Sequence, residues 1–404
     1  MDPLEIIGNL DRVKPAYQPI FSAITHSITG YELLGRFYNG NEWISLAEFF
    51  HDVDVPEEFK VEVDQHLLHI ALSELLESEQ DTFLCVNRSA KELLVNNGED
   101  LLETLQTFEK KGFAMNRVVI EVAEQDFNED FENIHHLLLY YKTFGIQLAI
   151  DHVGAKTANI DRIRQLEPHI LKINTRIIIG SQSGGFQDIM YSLSLLAHRI
   201  GAALLFENIE DDFLQYYAWK NGGRYYQGYY LAKPTFDLGS MLPFNENISG
   251  KVIEYIEREK KLIEERLGYI LSWEEKLKVL LPQWKALESV DGFIEVVTNY
   301  FNEESFRMYI CDSNGKQISA NFRKLNDTWK IETEKLGSNW AFRPYFLENM
   351  MQMKTRKTGI LSDLYSDIET RELIRTFSYP LSSEDFLFID IRYTFLYDHE
   401  CLLI

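Results

Sequence analysis

The feature that most constrains the fold is a short apolar run that recurs between residues 31 and 228 and ends each time in polar residues. Runs of this length and character are typical of buried β-strands. In a barrel of parallel strands the carboxyl ends meet at one mouth, so we expect the polar side chains to converge there. The runs are Tyr31–Arg36, Phe83–Asn87, Arg117–Glu124, Gln147–Asp151, Ile170–Asn174, Ala203–Glu210 and Tyr226–Gly228.

Helical patterns separate these runs, so that strand and helix alternate about every 30 residues, close to the length of a βαβ unit. Alternation of this kind predicts a parallel sheet. About eight strands in about 240 residues favour a closed (β/α)8 TIM-like barrel over a doubly wound sheet. No glycine-rich loop of the Rossmann or Walker type follows the first strand. The sequence therefore predicts an α/β fold with a barrel over residues 1–245.

The charge balance argues against nucleic acid as a partner. Lys and Arg number 40 against 63 Asp and Glu, a formal net charge of −23, whereas a nucleic-acid site needs a basic stripe. No apolar run approaches the roughly 18 residues of a membrane span, and the first residues lack a signal-peptide layout. The three distant cysteines, Cys85, Cys311 and Cys401, favour a reducing compartment. We expect a soluble cytoplasmic protein.

The chain changes character after Pro243. Residues 248–280 alternate charged and apolar residues at helical spacing, which predicts a half-exposed helix that bridges two domains or packs on a partner. Further on, Asp312–Gly315 predicts a hairpin turn between two strands. We assign residues 246–284 to a helical linker and residues 285–404 to an α+β domain with an antiparallel sheet.

Four neighbouring strand ends of the barrel carry oxygen donors. Hard divalent ions such as Mg²⁺, Mn²⁺ or Ca²⁺ prefer such ligands, and converging carboxylates without a cation would repel one another. Any one of these residues alone is more often an ordinary polar group at a strand end, so it is the ordered set that indicates a site. The donors are Glu32, Asn87, Glu121 and Asp151.

Further strand ends add a cation and other polar groups. Lys172 is suited to hold a phosphate or steer a water, and Arg36 offers a fork of donors for phosphate oxygens. Glu207 is a further ligand or a base, and Gln227 is a neutral hydrogen-bond partner.

Residues 14–240 resemble the EAL domains, bacterial phosphodiesterases that cleave cyclic di-GMP to the linear dinucleotide. The matching motifs occur in the family's order over more than 200 residues. They are Gln18-Pro19-Ile20, Glu32-Leu33-Leu34 with Arg36, Asn87, Glu121 with Glu124, Asp151, Lys172-Ile173, Glu207 and Gln227-Gly228-Tyr229.

The resemblance implies a role for each matching residue. It implies catalytic roles for Glu32, Lys172 and Glu207, and a loop-anchoring role for Glu124. It implies Mg²⁺ or Mn²⁺ as cofactor, with Ca²⁺ binding without supporting catalysis, and it implies a homodimer. The implied metal ligands are Glu32, Asn87, Glu121 and Asp151. The implied contacts with cyclic di-GMP are Gln18, Leu33, Leu34, Arg36, Asn87, Lys172, Glu207, Gln227 and Pro234.

Two departures from the family pattern bear on activity. His152 replaces the second Asp of a metal-binding pair, and Asn174 replaces the Asp that follows Lys172-Ile173. The loop Val153–Thr157 also differs from the family. Since imidazole favours softer ions than Mg²⁺, His152 is either a second metal ligand or a neutral ring that fills space. We expect binding of cyclic di-GMP with weak or absent hydrolysis. The alternative is an active phosphodiesterase that yields linear pGpG by metal-assisted hydrolysis.

The second domain resembles PAS/Cache-like sensory domains through Trp340–Phe346 and a later strand that reaches Asp390. The resemblance implies a pocket for a small ligand, or a protein partner, whose signal the charged helix passes to the barrel. The alternative is that Trp340, Tyr345 and Phe346 are core aromatic residues of a domain without a ligand.

Overall fold

The computed structural model describes residues 2–78, 80–128, 130–153, 160–176, 185–238, 245–286, 289–343 and 346–403. The chain divides into two compact units, Met1–Ile253 and Glu254–Ile404. Among the described residues, no helix is both long enough and apolar enough to cross a bilayer. The domain boundaries at residues 245 and 285 stay a prediction.

The first unit is a β-barrel surrounded by helices. Nine of the described strands join in one sheet, which closes because the first and second strands also pair with each other; the third strand lies on the edge of the second. The (β/α)8 TIM-like barrel predicted from the sequence is thus confirmed. Its strands are β1 (Val13–Ser22), β2 (Ile28–Tyr38), β3 (Trp43–Ser45), β4 (Phe83–Asn87), β5 (Val118–Ala123), β6 (Gln147–Asp151), β7 (Ile170–Asn174), β8 (Ala203–Glu207) and β9 (Gly223–Tyr226).

The direction of β1 departs from an all-parallel barrel. β1 runs antiparallel to both neighbours, β2 and β9, whereas the pairs from β2 and β4 round to β8 and β9 are parallel. The reason is the short polar turn between β1 and β2, because adjacent strands joined by a tight turn pair in opposite directions.

Helices cover the outside of the barrel, where their apolar sides pack on the outward-facing residues of the strands. They are α1 (Pro3–Ile7), α2 (Ala47–His51), α3 (Glu57–Glu77), α4 (Ala90–Leu94), α5 (Glu99–Glu109), α6 (Phe131–Thr143), α7 (Ile160–Leu166), α8 (Gly185–Ile200) and α9 (Asp212–Lys220). Short 3₁₀ turns cover Leu10–Arg12, Val95–Gly98, Met115–Arg117 and Glu124–Asn128. The long helix α10 (Asn245–Ala286) follows.

The second unit confirms the predicted α+β class. Its described strands are β10 (Ser305–Asp312), β11 (Asn321–Leu325), β12 (Thr328–Glu332), β13 (Ile360–Leu361), β14 (Tyr365–Ser366), β15 (Leu373–Pro380) and β16 (Asp385–Ile391). They form an antiparallel sheet in the order β12-β11-β10-β16-β15-β13, with β14 paired to β15. The helices are α11 (Val290–Tyr300), α12 (Phe346–Arg356), α13 (Tyr393–Asp398) and α14 (Glu400–Leu403).

The turn predicted after Asp312 is present. The Gly315 amide donates to the Asp312 carbonyl at 2.9 Å, and the Asn314 amide donates to the Asp312 side chain at 2.9 Å. Gly315 has a φ of +78°, which favours glycine.

A buried ion network crosses the sheet of this second unit. Arg307 donates through Nε to Asp390 at 2.6 Å and through Nη2 to Asp367 at 2.6 Å. The other oxygen of Asp390 accepts a hydrogen bond from the Thr376 hydroxyl at 2.6 Å. Both carboxylate oxygens of Asp390 are therefore engaged within the sheet, and its predicted role in a ligand pocket stays a prediction.

Replacement of Asp390 tests how much this network stabilises the domain. Asp390→Ala leaves the buried Arg307 without one of its carboxylates, so we expect the free energy of unfolding to fall by about 3 kcal/mol in a urea titration. Glu369→Ala is the matched control, since Glu369 lies 3.5 Å from the same guanidinium but is 35% exposed. Its loss is expected to cost about 1 kcal/mol or less. Equal losses in the two variants would contradict this account.

Candidate active site at the barrel mouth

The barrel interior determines where the polar side chains point. Ile20, Cys85, Val119, Ala149, Ile170 and Leu205 form a separate buried apolar cluster inside the barrel. Because side chains alternate along a strand, the residue two positions away from each of these faces the same side. Those residues are Gln18, Asn87, Glu121, Asp151, Lys172 and Glu207. The apolar layer therefore directs the polar set to the interior at one end of the barrel.

Lys172 lies at the centre of this set. Its ammonium nitrogen is 2.5 Å from a carboxylate oxygen of Glu121, 3.2 Å from one of Glu32 and 3.6 Å from one of Glu207. Lys172 is only 1% exposed. Burial alone would lower the pKa of Lys172, but the surrounding carboxylates raise it well above its ordinary value. The lysine is therefore a fixed buried cation.

Glu32 connects three strand ends. Asn87 donates to one of its oxygens at 2.8 Å, while Gln227 and Lys172 donate to the other at 2.5 Å and 3.2 Å. This network orients the amides of Asn87 and Gln227 at the mouth.

His152 is held against Asp151. The His152 amide donates to one Asp151 oxygen at 2.7 Å, and its ring nitrogen Nδ1 lies 2.5 Å from the other. The bond to Asp151 raises the pKa of His152, whereas Lys172 and His152 together outweigh burial and lower the pKa of Asp151. His152 has a φ of +58°, an uncommon conformation for a residue other than glycine. Such backbone conformations often mark functional sites.

Four acidic side chains, those of Glu32, Glu121, Asp151 and Glu207, surround Lys172 in this site. Burial raises the pKa of Glu121 well above its ordinary value and also raises that of Glu207. Among the described residues, no donor reaches the second carboxylate oxygen of Glu121 or the amide oxygen of Gln227, although both atoms are buried. Unmatched buried acceptors of this kind suit a further cation.

The donor set fits a divalent metal. Carboxylate and amide oxygens from Glu32, Asn87, Glu121 and Asp151 are the hard ligands that Mg²⁺, Mn²⁺ or Ca²⁺ prefer. A second candidate group consists of Asp151, His152 and Glu207, whose ligand atoms lie within 4.8 Å of one another. Its imidazole nitrogen makes this group less suited to Mg²⁺ and better suited to a transition-metal ion.

The remaining predicted residues lie around this centre. Gln18 is buried and donates to the Ala232 carbonyl at 2.6 Å. Arg36 donates to the Gly35 carbonyl at 2.9 Å, and burial lowers its pKa. Leu33 is buried, whereas Leu34 and Pro234 are half-buried. Glu124 begins the turn after β5, and Asn174 accepts a hydrogen bond from the Arg176 amide. The loop residues 154–157 lie outside the described residues.

Sequence reasoning missed Arg88. It follows Asn87 and is buried on the opposite side of the strand, where it pairs with Asp64 of α3. The sequence does indicate that Arg88 is buried, because it follows a predicted metal ligand on the strand and alternation directs its side chain to the helix layer. The sequence does not show that Asp64 lies beside it.

Two families match the chain. Residues 6–234 match the EAL domain, and residues 243–403 match the EAL-domain associated signalling protein domain. The Bacillus subtilis (strain 168) protein described as uncharacterized EAL-domain containing protein YkuI is 41% identical over 406 residues, which cover 100% of both chains.

Solved structures agree with this similarity. The crystal structure of Bacillus subtilis YkuI in complex with substrate c-di-GMP and calcium has a TM-score of 0.94 at 40% identity and covers 100% of both chains. The FimX EAL domain from Pseudomonas aeruginosa bound to c-di-GMP has a TM-score of 0.51 at 23% identity. It covers 58% of this chain and 97% of that domain, and it supports the fold alone.

Removal of Lys172 tests the charge balance of the site. In metal-free buffer, Lys172→Met leaves the buried carboxylates uncompensated, so we expect the free energy of unfolding to fall by about 3–5 kcal/mol. Millimolar Ca²⁺ should restore part of this loss, because a divalent ion neutralises the same carboxylates. Arg176→Met removes the exposed pair with Glu210 and should cost about 1 kcal/mol or less. A metal-free loss in Lys172→Met as small as in this control would contradict the assigned role.

Proposed function

This chain belongs to the EAL-domain family, and from that premise we propose that it binds cyclic di-GMP together with a divalent ion at the barrel mouth, with weak or absent hydrolysis. The observation that carries the proposal is the convergence of Glu32, Asn87, Glu121 and Asp151 around Lys172 at one end of the barrel. The similarity over the whole chain to a protein crystallised with c-di-GMP and calcium supports the choice of ligand.

The metal is the first part of this proposal. Glu32, Asn87, Glu121 and Asp151 would hold it, with Mg²⁺ or Mn²⁺ as the ion of the active state and Ca²⁺ as one that binds without supporting cleavage. When bound, the ion neutralises phosphate charge and assists attack on the phosphodiester. Such an ion is needed because a net anionic mouth would otherwise repel a dinucleotide.

The side chains of the mouth then orient the nucleotide. Lys172 supplies a permanent positive charge for a phosphate oxygen or a nearby water. Arg36 offers a second, half-buried cation with a fork of donors, and Gln18 and Gln227 offer neutral hydrogen-bonding groups. Leu33, Leu34 and Pro234 contribute apolar contacts, as the family resemblance suggests for these positions.

His152 is the reason to expect weak cleavage. Cleavage assisted by two ions needs a second metal site beside the first, and here that position carries an imidazole already bonded to Asp151. A neutral nitrogen ligand holds Mg²⁺ less well than a carboxylate does. Binding therefore requires only residues that are present, whereas efficient hydrolysis requires an ion at the altered position.

An active cyclic di-GMP phosphodiesterase is the alternative. It is favoured by the presence of Glu32, Lys172 and Glu207 in contact around one centre. In that case the Asp151, His152 and Glu207 group would hold Mn²⁺, and the product would be linear pGpG.

The second domain is proposed to be a PAS/Cache-like sensory domain that takes a small ligand or a protein partner. Support comes from its antiparallel sheet and from an aromatic stack in which Phe388 lies between Tyr309 and Phe346, with ring centroids 5.1 Å apart in both pairs. Pro344 and Tyr345 of the predicted pocket lie outside the described residues. A cytoplasmic location is also proposed. Cys85, Cys311 and Cys401 are free thiols, which are typical of proteins in a reducing compartment.

Helix α10 supports the proposed homodimer. Ile256, Ile263, Leu267 and Leu271 are between 37% and 59% exposed. At about 100° per residue they lie on one side of the helix, within an arc of about 80°. We name these four residues the α10 stripe. An exposed apolar stripe of this kind is typical of a helix that pairs with another helix.

Replacement of His152 separates binding from cleavage. With Mg²⁺, we expect His152→Asp to release linear pGpG about tenfold faster or more than the unmodified protein, because a carboxylate restores a hard ligand. His136→Asp on α6 is the matched control, since His136 is 75% exposed there, and it should leave the rate unchanged. Products are separated by chromatography.

The same experiment decides between the two candidate functions. Glu32→Ala should abolish nucleotide binding in calorimetry with Ca²⁺. If the unmodified protein already cleaves as fast as His152→Asp, the phosphodiesterase alternative is correct. Absence of nucleotide binding would exclude both functions.

A charge placed in the α10 stripe tests the homodimer. Leu267→Asp should convert the dimer to a monomer in light scattering, because it buries a carboxylate at the contact. Val279→Asp introduces the same charge at a residue that is 68% exposed but lies about 120° round the helix, and it should leave the dimer intact. If Leu267→Asp remains a dimer, the α10 stripe is not the dimer contact.

A further inference from the structure

Arg88 follows Asn87 at the end of β4 and has no role in the function proposed above. Asn87 ends β4 and faces the mouth, where it bonds Glu32. Arg88 is the next residue, so its side chain points the opposite way, into the helix layer. It is 7% exposed there. A buried guanidinium is costly unless its surroundings engage it, so its contacts indicate what it holds in place.

The contacts of Arg88 join three elements at the end of β4. Its Nη1 donates to the Asn87 carbonyl at 2.7 Å and forms an ion pair with Asp64 of α3. Its backbone amide donates to the Glu121 carbonyl at 2.9 Å. The backbones of Asn87 and Glu121, two proposed metal ligands, are therefore both bonded to one residue that α3 anchors.

The Arg88 side chain lines a small cavity. It measures about 20 Å³ and is lined by Asp64, Arg88, Glu92 and Tyr141, among others. Burial raises the pKa of Asp64 to about 6 and that of Glu92 to about 7. Arg88 is the basic side chain among the residues that line this cavity. Within the described part of the chain, its Nη2 has no hydrogen-bond partner.

The same cluster also fixes the start of α4. Ser89 caps this helix by accepting from the Glu92 amide at 3.1 Å, and Glu92 accepts from the Ser89 amide at 2.9 Å. The chain is therefore constrained on both sides of Arg88, by the sheet before it and by a capped helix after it. The guanidinium adds an ion pair with Asp64 that ties this corner to α3.

We infer that Arg88 is a positioning residue that holds the ends of β4 and β5 so that Asn87 and Glu121 present their oxygens to the divalent ion. The inference rests on the proposed metal site. Partners that orient metal ligands commonly contribute tenfold to a hundredfold in metal affinity. Arg88 acts through the Asn87 backbone and needs no contact with metal or nucleotide.

The test compares two buried cations of similar exposure. Arg88→Met keeps an unbranched apolar side chain but removes the guanidinium and its donors. Lys60→Met removes a lysine of α3 that is 5% exposed and pairs with Glu57. Calorimetry with Ca²⁺ is run on the full chain, with and without cyclic di-GMP. We expect about tenfold weaker Ca²⁺ binding or more in Arg88→Met and unchanged affinity in Lys60→Met, although both variants lose stability.

Two further measurements separate positioning from stability. Arg88→Lys keeps the charge but reaches fewer acceptors, so its Ca²⁺ affinity should lie between those of the unmodified protein and Arg88→Met. In metal-free protein, the backbone amide of residue 88 should exchange hydrogen faster in Arg88→Met than in Lys60→Met, because the hydrogen bond from this amide to the Glu121 carbonyl loosens. If Arg88→Met is poorly folded, Arg88→Lys and Asp64→Asn, which removes the anchor, replace it and should also bind Ca²⁺ more weakly.

The outcomes distinguish this inference from the proposed function. Unchanged Ca²⁺ affinity in Arg88→Met, beside a loss of stability like that of Lys60→Met, would make Arg88 merely structural and overturn the inference alone. An unmodified protein that binds neither Ca²⁺ nor cyclic di-GMP would overturn the proposed function and the inference with it.

Discussion

The structure of the barrel mouth depends on the ammonium group of Lys172. Glu32, Glu121 and Glu207 would repel one another at such short range in a buried site, and the lysine nitrogen within 3.6 Å of all three offsets that repulsion. The compensation is incomplete, because one positive charge faces these three carboxylates and Asp151. A buried acceptor of Glu121 also lacks a donor among the described residues. The fold therefore tolerates an anionic cluster that a second cation would complete, and this incompleteness supports the proposed binding site at the mouth.

Lys172 and the proposed divalent ion differ in how they would offset the charge of the carboxylates. Lys172 is part of the chain and offsets part of the negative charge of the cluster at all times, whereas in the proposed function a divalent ion would bind together with the nucleotide and offset phosphate charge as well. In that proposal, His152 would alter only the contribution of the divalent ion. It sits at the outer side of Asp151, 50% exposed, and leaves the Lys172 contacts with Glu32 and Glu121 in place. A change that affects cleavage more than binding is the expected consequence.

Strand alternation explains how much of this site could be predicted from the sequence. Each polar residue lies two positions from an interior apolar residue, so a run such as Val119-Ile120-Glu121 already shows that Glu121 faces inward. Barrel closure then brings these residues to one mouth. The contacts between members of this set could not be predicted from the sequence, because they depend on strand stagger and side-chain conformation. Lys172 lies closer to Glu121 than to Glu32, and Arg88 contacts Asp64 of α3. Both facts follow from packing, which the pattern of a single sequence does not contain.

Charge balance also distinguishes the barrel mouth from the buried ionic cluster around Arg307 in the second unit. In the second unit, Arg307 is bonded to Asp390 and Asp367, and Thr376 occupies the remaining oxygen of Asp390. Donors and acceptors there are matched, so a ligand that used Asp390 would first have to displace Arg307 or Thr376. Among the described residues at the barrel mouth, the acceptors exceed the donors. The same physical rule, that buried charge needs a partner, thus favours a structural role for the Arg307 network and supports the proposed binding role of the carboxylates around Lys172.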